Sequence, residues 1–249
     1  MDPDAFVIAA PAATHRMGES STAPGDFLGS DGRTDLVLGA SGNSATAISG
    51  RVFTVAGRAF PGGMSGLIAI AATELTELAS GTAASFGRLV RSIGDYDGNG
   101  RVDVAVYNAT SAGQVTVFLQ GTTGFSAGNS FVLTNDAASS AGDLMGSSIG
   151  IGFHPFLGRL GDLDGDSMTD LLVGSTQRGA TAGGVDLFYG TGTPAGIARS
   201  AASLMLEPPD AGTARFAAYV GDVNGDGFND ILVGDPGYMS NAGRLLLIY

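Results

Sequence analysis

The chain has 249 residues, of which 44% are hydrophobic and only 14% are charged, as in a folded protein rather than a disordered one. Its net charge is −12 and its 12 basic residues are all arginines, so an acidic surface without a basic patch argues against nucleic acid and anionic membranes as partners. Cysteine is absent, which excludes disulfides and thiolate zinc sites, and no apolar run approaches the roughly 20 residues that cross a bilayer.

The predicted elements recur along the chain. A short apolar run at residues 4–11 (DAFVIAAP) is followed by an acidic stretch at 25–41 (GDFLGSDGRTDLVLGAS). Three clearer acidic stretches come later: GDYDGNGRVDVAVY (94–107), GDLDGDSMTDLLVG (161–174) and GDVNGDGFNDILVG (221–234). Their first aspartates, Asp95, Asp162 and Asp222, are 67 and 60 residues apart. A period of this length indicates stacked units that cannot bury their apolar faces alone.

Apolar runs flank each acidic stretch and predict strands. A phenylalanine-containing run precedes the stretch, and an apolar run ends it. A glycine-led alternating run follows, and a shorter segment lies further upstream. In chain order the flanking runs include SGRVFTVAG, TELTEL, SFGRLVRSIG, AGQVTVFLQG, SFVLTN, GGVDLFYG, SLMLEP, ARFAAYVG and AGRLLLIY. Short runs rich in Val, Leu, Ile, Phe and Tyr between Gly, Ser and Asn are typical of strands.

About four strands per unit predict an all-β fold, a β-propeller of four-stranded antiparallel blades with about four blades in this chain. We expect one domain, or a fragment of one, over residues 1–249, with repeats at 1–57, 58–121, 122–190 and 191–249. An alternative stays open for GLIAIAATELTELA (66–79), which also fits one helix of three turns.

The acidic stretches have the ligand spacing of a calcium loop. Oxygen-bearing side chains stand at positions 1, 3, 5 and 9, and position 7 offers its backbone carbonyl. Alternate residues of a tight loop point inward together, and calcium takes six to eight oxygen ligands in irregular geometry. The predicted ligands are Asp95, Asp97, Asn99, Arg101 (carbonyl) and Asp103 in loop 2 (residues 95–103); Asp162, Asp164, Asp166, Met168 (carbonyl) and Asp170 in loop 3 (residues 162–170); and Asp222, Asn224, Asp226, Phe228 (carbonyl) and Asp230 in loop 4 (residues 222–230).

Two other interpretations of these loops are weaker. An EF-hand needs a glutamate at position 12 and flanking helices, whereas here position 9 is acidic and strands flank the loop. A catalytic metal keeps an open position beside an acid or base, and these loops look self-contained. We therefore expect about three calcium ions and no catalytic residues.

Loop 1 (residues 26–35) is a degenerate copy. Counting back from Asp35 places Asp31 at position 5 but Gly29 at position 3, because one residue is inserted after Asp26. This copy keeps the shape of the loop but loses ligands, so a solvated Asp-Gly turn explains it better than a fourth site at Asp26, Asp31 and Asp35. Ser167 replaces the glycine at position 6 of loop 3, and we expect a slightly strained turn there.

Other candidate sites are weaker. The two histidines, His15 and His154, lie far apart in turn-like contexts, and a catalytic role is not expected. The segment GSSIGIG (146–152) lacks the lysine of a phosphate-binding loop and is predicted as a loop before a strand. Four aromatic residues at equivalent strand positions are expected in the core rather than on a ligand-stacking surface: Phe53, Phe118, Phe188 and Tyr189.

With loops, flanks and period in place, the chain resembles the FG-GAP repeats of the integrin alpha-subunit propeller and related bacterial proteins. Phe86-Gly87 matches the first element of the name, and Gly234-Asp235-Pro236 is a variant of the second. The resemblance implies a β-propeller with calcium in hairpin loops on one face and a protein or glycan ligand met by loops on the opposite face. Those loops vary within the family, so no ligand-binding residue carries over.

The chain supplies fewer blades than this family usually has. We expect a fragment of a longer secreted or surface protein, with a closed four-bladed ring as the alternative. The start lacks the basic region of a secretory signal, which a truncated chain explains. An open arc would expose strand edges, so self-association is expected if the propeller is incomplete.

The sequence thus predicts an extracellular or cell-surface recognition or adhesion module that binds calcium and is not an enzyme. Two alternatives stay open. In the first, the chain is the propeller part of a polysaccharide-active or phospholipase-like enzyme, and acidic or histidine residues from several blades would meet at the axis. In the second, it is a lectin-like propeller with one shallow sugar pocket per blade.

Overall fold

The fold is nearly all β. The structure, a computed structural model, describes residues 4–8, 16–42, 48–58, 66–81, 86–108, 113–134, 145–150, 161–178, 181–206 and 216–249. Within these ranges lie eighteen strands, two single turns of 3-10 helix at Ala72–Glu74 and Arg199–Ala201, and one four-residue helical turn at Tyr238–Asn241. The predicted all-β class is confirmed.

Most strands form four sheets that follow one another along the chain, and the strands are numbered in chain order. Sheet 1 contains β2 (Arg16–Gly25), β3 (Asp35–Ser41), β4 (Arg51–Val55) and β6 (Thr76–Ser80). Sheet 2 contains β7 (Val90–Gly94), β8 (Asp103–Asn108), β9 (Gln114–Phe118) and β10 (Ser130–Thr134), with β14 (Ile197–Ala198) at its edge. Sheet 3 contains β11 (Met145–Gly150), β12 (Leu171–Arg178), β13 (Thr181–Phe188) and β15 (Leu204–Leu206). Sheet 4 contains β16 (Phe216–Gly221), β17 (Asp230–Asp235) and β18 (Arg244–Ile248), while β1 (Asp4–Ile8) pairs separately with β5 (Gly66–Ile70).

Neighbouring strands within the four sheets are antiparallel, except for the short β10–β14 pair, which is parallel. The β1–β5 pair is also parallel. Residues 66–80 form β5, one 3-10 turn and β6 rather than a helix, so the helical alternative for this segment is wrong. Its second half pairs with β4 through Phe53 opposite Glu77, and this cross-strand pairing overrides the helical periodicity of the isolated segment.

The sheets pack face against face in chain order. Alternate residues of one strand point to opposite sides, so one sheet can contribute side chains to two cores. In β8, Val104 and Val106 pack towards sheet 1, whereas Ala105 and Tyr107 pack towards sheet 3. In β12, Leu172 faces the other way from its neighbours and joins a cluster with sheet 4. A fully buried valine or leucine contributes about 1.5–3 kcal/mol, so these three shared cores stabilise the stack.

The stack has the character of successive propeller blades. The side of sheet 4 that faces away from sheet 3 exposes Leu245 (69%) and Leu247 (36%), while Leu246 and Ile248 pack inward.

The sequence repeats at 1–57, 58–121 and 122–190 end between the third and fourth strands of sheets 1 to 3. They divide the same series of strands at a different place, since a repeat can be started at any strand.

Two expectations about individual segments need correction. Residues 146–150 of the segment 146–152 are not a loop, because Met145–Gly150 forms β11 and pairs with β12, while residues 151 and 152 lie outside the described ranges. Of the four aromatic residues, Phe53, Phe118 and Phe188 are buried as predicted, but Tyr189 is 40% exposed because it lies just beyond the end of β13. Both histidines, His15 and His154, lie outside the described residues.

Candidate metal centres

The four acidic loops occupy equivalent places. Loop 1 joins β2 to β3, loop 2 joins β7 to β8, loop 3 immediately precedes β12, and loop 4 joins β16 to β17. Each therefore leads into the second strand of its sheet. Because the sheets pack in the same sense, successive loops lie at the same end of the stack.

The aspartate at position 1 shapes every loop. Its carboxylate accepts a backbone N–H from position 6 in all four: Asp26 from Gly32 at 2.5 Å, Asp95 from Gly100 at 2.7 Å, Asp162 from Ser167 at 2.9 Å and Asp222 from Gly227 at 2.8 Å. Position 6 always has a positive φ, including Ser167 at 74°. A non-glycine residue in the left-handed region costs roughly 1–2 kcal/mol, so the expected strain at Ser167 is present.

Positions 3 and 5 form consecutive side-chain turns. In loop 3, Asp164 Oδ1 accepts from Asp166 N at 3.2 Å, and Asp166 Oδ1 accepts from Met168 N at 2.8 Å. Loop 4 repeats the pattern with Asn224 and Asp226. Because these side chains fold back over the loop, alternate oxygens face the same side.

The aspartate at position 9 is buried and held by backbone N–H groups. One oxygen accepts the N–H of the residue that follows the first aspartate of the loop, and in loop 1 that of the next residue as well. In loops 1 to 3 the other oxygen accepts the N–H of the residue two places beyond the third strand of the same sheet. The second group of donors comprises Gly57 to Asp35 (2.7 Å), Gln120 to Asp103 (2.9 Å) and Gly190 to Asp170 (3.0 Å). In loop 4, Asp230 Oδ2 accepts from Val223 N at 2.7 Å, while its buried Oδ1 has no donor among the described residues.

Two of the loops bring carboxylates together closely enough to share one ion. In loop 2, one oxygen each of Asp95, Asp97 and Asp103 lies within 4.8 Å of the others. In loop 3 the same holds for Asp162, Asp164 and Asp166. These six residues were all predicted as ligands from the spacing alone.

The other predicted ligands have different positions or remain predictions. Asp170 is buried beneath loop 3 and is not part of its three-carboxylate group. In loop 4, where position 3 is Asn224, the aspartates form no such group in the part of the chain that the structure describes. Asn99 donates to the Gln120 carbonyl at 3.0 Å, while its Oδ1 accepts from Arg101 N at 2.9 Å. The carbonyl ligands of Arg101, Met168 and Phe228 stay predictions.

Burial makes these carboxylates costly to ionise. Burial raises the pKa of Asp103 to about 7, and the charges of Asp97 and Asp95 add to the increase against the backbone hydrogen bonds that lower it. The pKa of Asp170 is raised to about 7 for the same reason, with Asp164 and Asp162 as the neighbouring charges. Desolvation also raises the pKa of Asp97. A positive ion in each loop would remove this penalty.

In loop 1 the carboxylate of Asp31 is paired with a basic side chain of the same loop. The guanidinium of Arg33 at position 7 forms an ion pair with Asp31 at position 5, and Arg33 N donates to the same carboxylate at 2.9 Å. This hydrogen bonding lowers the pKa of Asp31. Arg101, at position 7 of loop 2, instead donates to the Asn99 carbonyl at 3.3 Å. Sequence reasoning missed this role of Arg33, although a basic residue beside position 5 was a visible signal.

The donor set of loops 2 and 3 fits a hard divalent cation. Every side-chain ligand atom in these loops is an oxygen, and three carboxylates converge in each loop. None of these carboxylates forms an ion pair within the described residues. Oxygen-only sites of high negative charge suit calcium better than zinc or copper, which favour nitrogen and sulfur.

The fold and site together define a class: stacked antiparallel sheets with an acidic oxygen-lined loop entering the second strand of each. Residues 162–233, from the start of loop 3 to a point within β17, match the family model described as FG-GAP-like repeat. The chain therefore contains an FG-GAP-like repeat over this segment, which confirms the resemblance there. A comparison with curated proteins gave no match. In the part of the chain that is described, no helix is long and apolar enough to cross a membrane.

Proposed function

We propose that this chain is a calcium-binding β-propeller that serves as an extracellular recognition or adhesion module and is not an enzyme. One observation carries the calcium part of the proposal. Loops 2 and 3 gather three carboxylates each without a basic partner, whereas the degenerate loop 1 has an internal guanidinium. Carboxylates grouped this closely repel one another unless a cation lies between them.

The proposal assigns one ion to each of loops 2, 3 and 4. Asp95, Asp97 and Asp103 would hold the first ion with Asn99, and Asp162, Asp164 and Asp166 the second, with Asp170 anchoring the loop from below. The ion supplies the charge that each loop lacks, while the protein supplies pre-shaped oxygens.

The recognition part of the proposal is supported by the arrangement of the sheets and by the FG-GAP-like repeat. At the end of the stack opposite the acidic loops, the connection between β17 and β18 lies within the described residues. There Met239 is 72% exposed, and Met239, Ser240 and Asn241 all have positive φ. Strained, exposed backbone of this kind is typical of ligand-contact loops. We propose that a protein or glycan ligand meets this end, and that blades close into a ring or associate with further copies.

Calcium titration with and without chelator tests the first part. Isothermal calorimetry is expected to give about three ions per chain, and the melting temperature is expected to rise by several degrees, since each site at tenfold excess over Kd adds about 1.4 kcal/mol. Asp164→Ala combined with Asp166→Ala removes two exposed ligands and should lose one ion. An unchanged melting curve in chelator would contradict the proposal.

The matched control lies in loop 1. Asp31→Ala removes an aspartate at the position equivalent to Asp166, but one that is already paired with Arg33. It should leave the number of bound ions unchanged. Loss of one ion in this variant would show that loop 1 is a calcium site and that the assignment by carboxylate grouping is wrong.

Ligand recognition is tested separately. Binding of the immobilised protein to extracellular-matrix proteins and a glycan array, in calcium and in chelator, should identify a ligand whose binding weakens when Met239→Ala and Tyr238→Ala are combined. Extracellular calcium modules have Kd values of about 10⁻⁴–10⁻³ M, so an affinity in this range is sufficient outside the cell. A ligand that binds equally well after this change would place the contact elsewhere.

A further inference from the structure

Loops 2 and 3 are joined by a direct backbone hydrogen bond. Thr169 N donates to the carbonyl oxygen of Asp95 at 2.7 Å. Asp95 is position 1 of loop 2, and Thr169 stands between positions 7 and 9 of loop 3. A displacement of Asp95, the first ligand of loop 2, therefore also displaces Thr169, which lies beside the last ligands of loop 3.

A second connection runs between the two closing aspartates. Thr191 N donates to the Tyr96 carbonyl at 2.9 Å. The Tyr96 amide donates to Asp103 Oδ2 at 2.8 Å, and the amide of Gly190, next to Thr191, donates to Asp170 Oδ1 at 3.0 Å. Asp103 and Asp170 are thus connected through a short, unbroken series of peptide groups.

Close packing leaves the two loops no room to move independently. A Cβ placed on Gly94 would lie 2.3 Å from Thr169 Oγ1, and one on Gly190 would lie 2.6 Å from Met168 Cβ and 3.0 Å from the Tyr96 carbonyl. Glycine is needed at both points because the loops touch. Neither loop can change shape without displacing its neighbour.

We propose that loops 2 and 3 bind calcium cooperatively, each loaded loop raising the affinity of the other. This inference rests on the proposed calcium function. An ion that orders loop 2 fixes Asp95 and Tyr96, and through them Thr169, Thr191 and Gly190, so the second ion meets a loop that is already ordered. A coupling of this kind is reciprocal, because the ordering cost is shared.

Charge alone opposes the coupling. Residues 162–170 contain four aspartates and no basic residue, so one divalent ion lowers the formal charge of loop 3 from −4 to −2. Loop 3 stays negative but attracts a cation in loop 2 less strongly than it does when empty, so the positive coupling comes from the shared hydrogen bonds and packing, which must outweigh this effect.

The other loops lack a backbone-to-backbone connection of this kind among the described residues. Loop 4 reaches loop 3 through the side chain of Asn229, whose Nδ2 donates to the Asp162 carbonyl at 3.1 Å, and the hydroxyl of Tyr219 in β16 donates to the Asp170 carbonyl at 2.7 Å. Within the described ranges, no hydrogen bond joins residues 26–35 to residues 95–103. The coupling should therefore be strongest between loops 2 and 3.

Site-resolved calcium titration by NMR tests this. The amide of Gly100 donates to Asp95 and reports on loop 2. With loop 3 disabled by Asp164→Ala and Asp166→Ala, the calcium Kd at Gly100 should rise about fivefold or more. The matched control disables loop 4 by Asn224→Ala and Asp226→Ala, which loses one ion equally but should leave the Gly100 Kd unchanged.

A second variant tests the connection itself without touching a ligand. Thr191→Pro removes the N–H that bonds to Tyr96 but keeps the Gly190 amide on Asp170. It should keep the number of bound ions and lower the coupling factor, while the Thr169–Asp95 hydrogen bond stays in place. An equal Gly100 Kd in the loop 3 and loop 4 variants would overturn the coupling and leave calcium binding intact. Absence of any calcium-induced shift at Gly100 in the unaltered protein would overturn the proposed function itself, and the coupling with it.

Discussion

Loops 1 and 2 lie at the same place in neighbouring sheets and share most of their construction. In both, the carboxylate at position 1 accepts the N–H of position 6, and the closing aspartate, Asp35 or Asp103, is buried under backbone donors. They differ at positions 3 to 7. Loop 1 pairs Asp31 with Arg33, whereas loop 2 gathers Asp95, Asp97 and Asp103 around no basic group.

The comparison separates two tasks that the repeat performs. Positions 1, 6 and 9 shape the turn and attach it to the sheet through the same hydrogen bonds in both loops. Positions 3, 5 and 7 decide how the remaining negative charge is neutralised. A guanidinium does this permanently in loop 1, and the proposed calcium does it reversibly in loop 2. The turn is thus a scaffold on which a cation site is either kept or replaced.

The largest expected effect comes from the shared part of the two loops. Asp35 accepts N–H groups from Phe27, Leu28 and Gly57, and Asp35→Ala would leave one buried and two partly buried donors unsatisfied. We expect a loss of about 3 kcal/mol in the free energy of unfolding. Urea unfolding in chelator measures it.

The control for Asp35→Ala is the equivalent change in loop 2. Asp103→Ala frees only the amides of Tyr96 and Gln120 and removes a carboxyl whose pKa is raised by burial. In chelator it should cost less, about 2 kcal/mol or below. If it costs more than Asp35→Ala without calcium, the view that the closing aspartate does the same structural work in both loops is wrong.

A smaller effect tests the residue that follows the first aspartate, which is Phe27 in loop 1 and Tyr96 in loop 2. The Tyr96 hydroxyl is buried and has no hydrogen-bond partner among the described residues. Tyr96→Phe makes loop 2 resemble loop 1 and should leave stability unchanged or slightly higher. In contrast, Tyr219→Phe removes the bond to the Asp170 carbonyl and should cost about 1 kcal/mol. Thermal unfolding of the two variants compares them, and an equal loss in both would indicate that Tyr96 has a polar partner.

Much of this architecture could be predicted from the sequence. The spacing of the aspartates predicted six carboxylates that the fold brings together, since consecutive side-chain turns depend only on local sequence. The strands also follow from alternation and from the period of the repeat. In sheet 3, however, the strand that pairs with β12 lies at Met145–Gly150, in a glycine- and serine-rich segment without a strand-like apolar pattern.

The rest depends on contacts distant in sequence. The backbone donors of the closing aspartates come from Gly57, Gln120 and Gly190, which lie a full hairpin further along the chain. The hydrogen bond between Asp95 and Thr169 depends on how one sheet packs on the next. No local pattern encodes either contact. The ion pair of Arg33 is local, but the prediction treated position 7 only as a carbonyl donor.

The smallest expected effect concerns Asp31, at position 5 of loop 1, and Asp97, at position 3 of loop 2. The pKa values of these two carboxylates shift in opposite directions. Hydrogen bonds from Arg33 lower the pKa of Asp31, so the ionised form of Asp31 stabilises the folded state at neutral pH. Burial raises the pKa of Asp97, so the ionised form of Asp97 destabilises it when no ion is bound. In chelator at pH 7, Asp31→Asn should therefore lower the melting temperature slightly and Asp97→Asn should raise it slightly. Both effects are limited because Asp31 is exposed and Asp97 is only partly buried, so that solvent screens both charges. Calcium should reverse the sign for Asp97→Asn, since the variant loses a ligand, and should leave Asp31→Asn unaffected. The same sign for both variants in chelator would mean that the guanidinium does not account for the difference between the two loops.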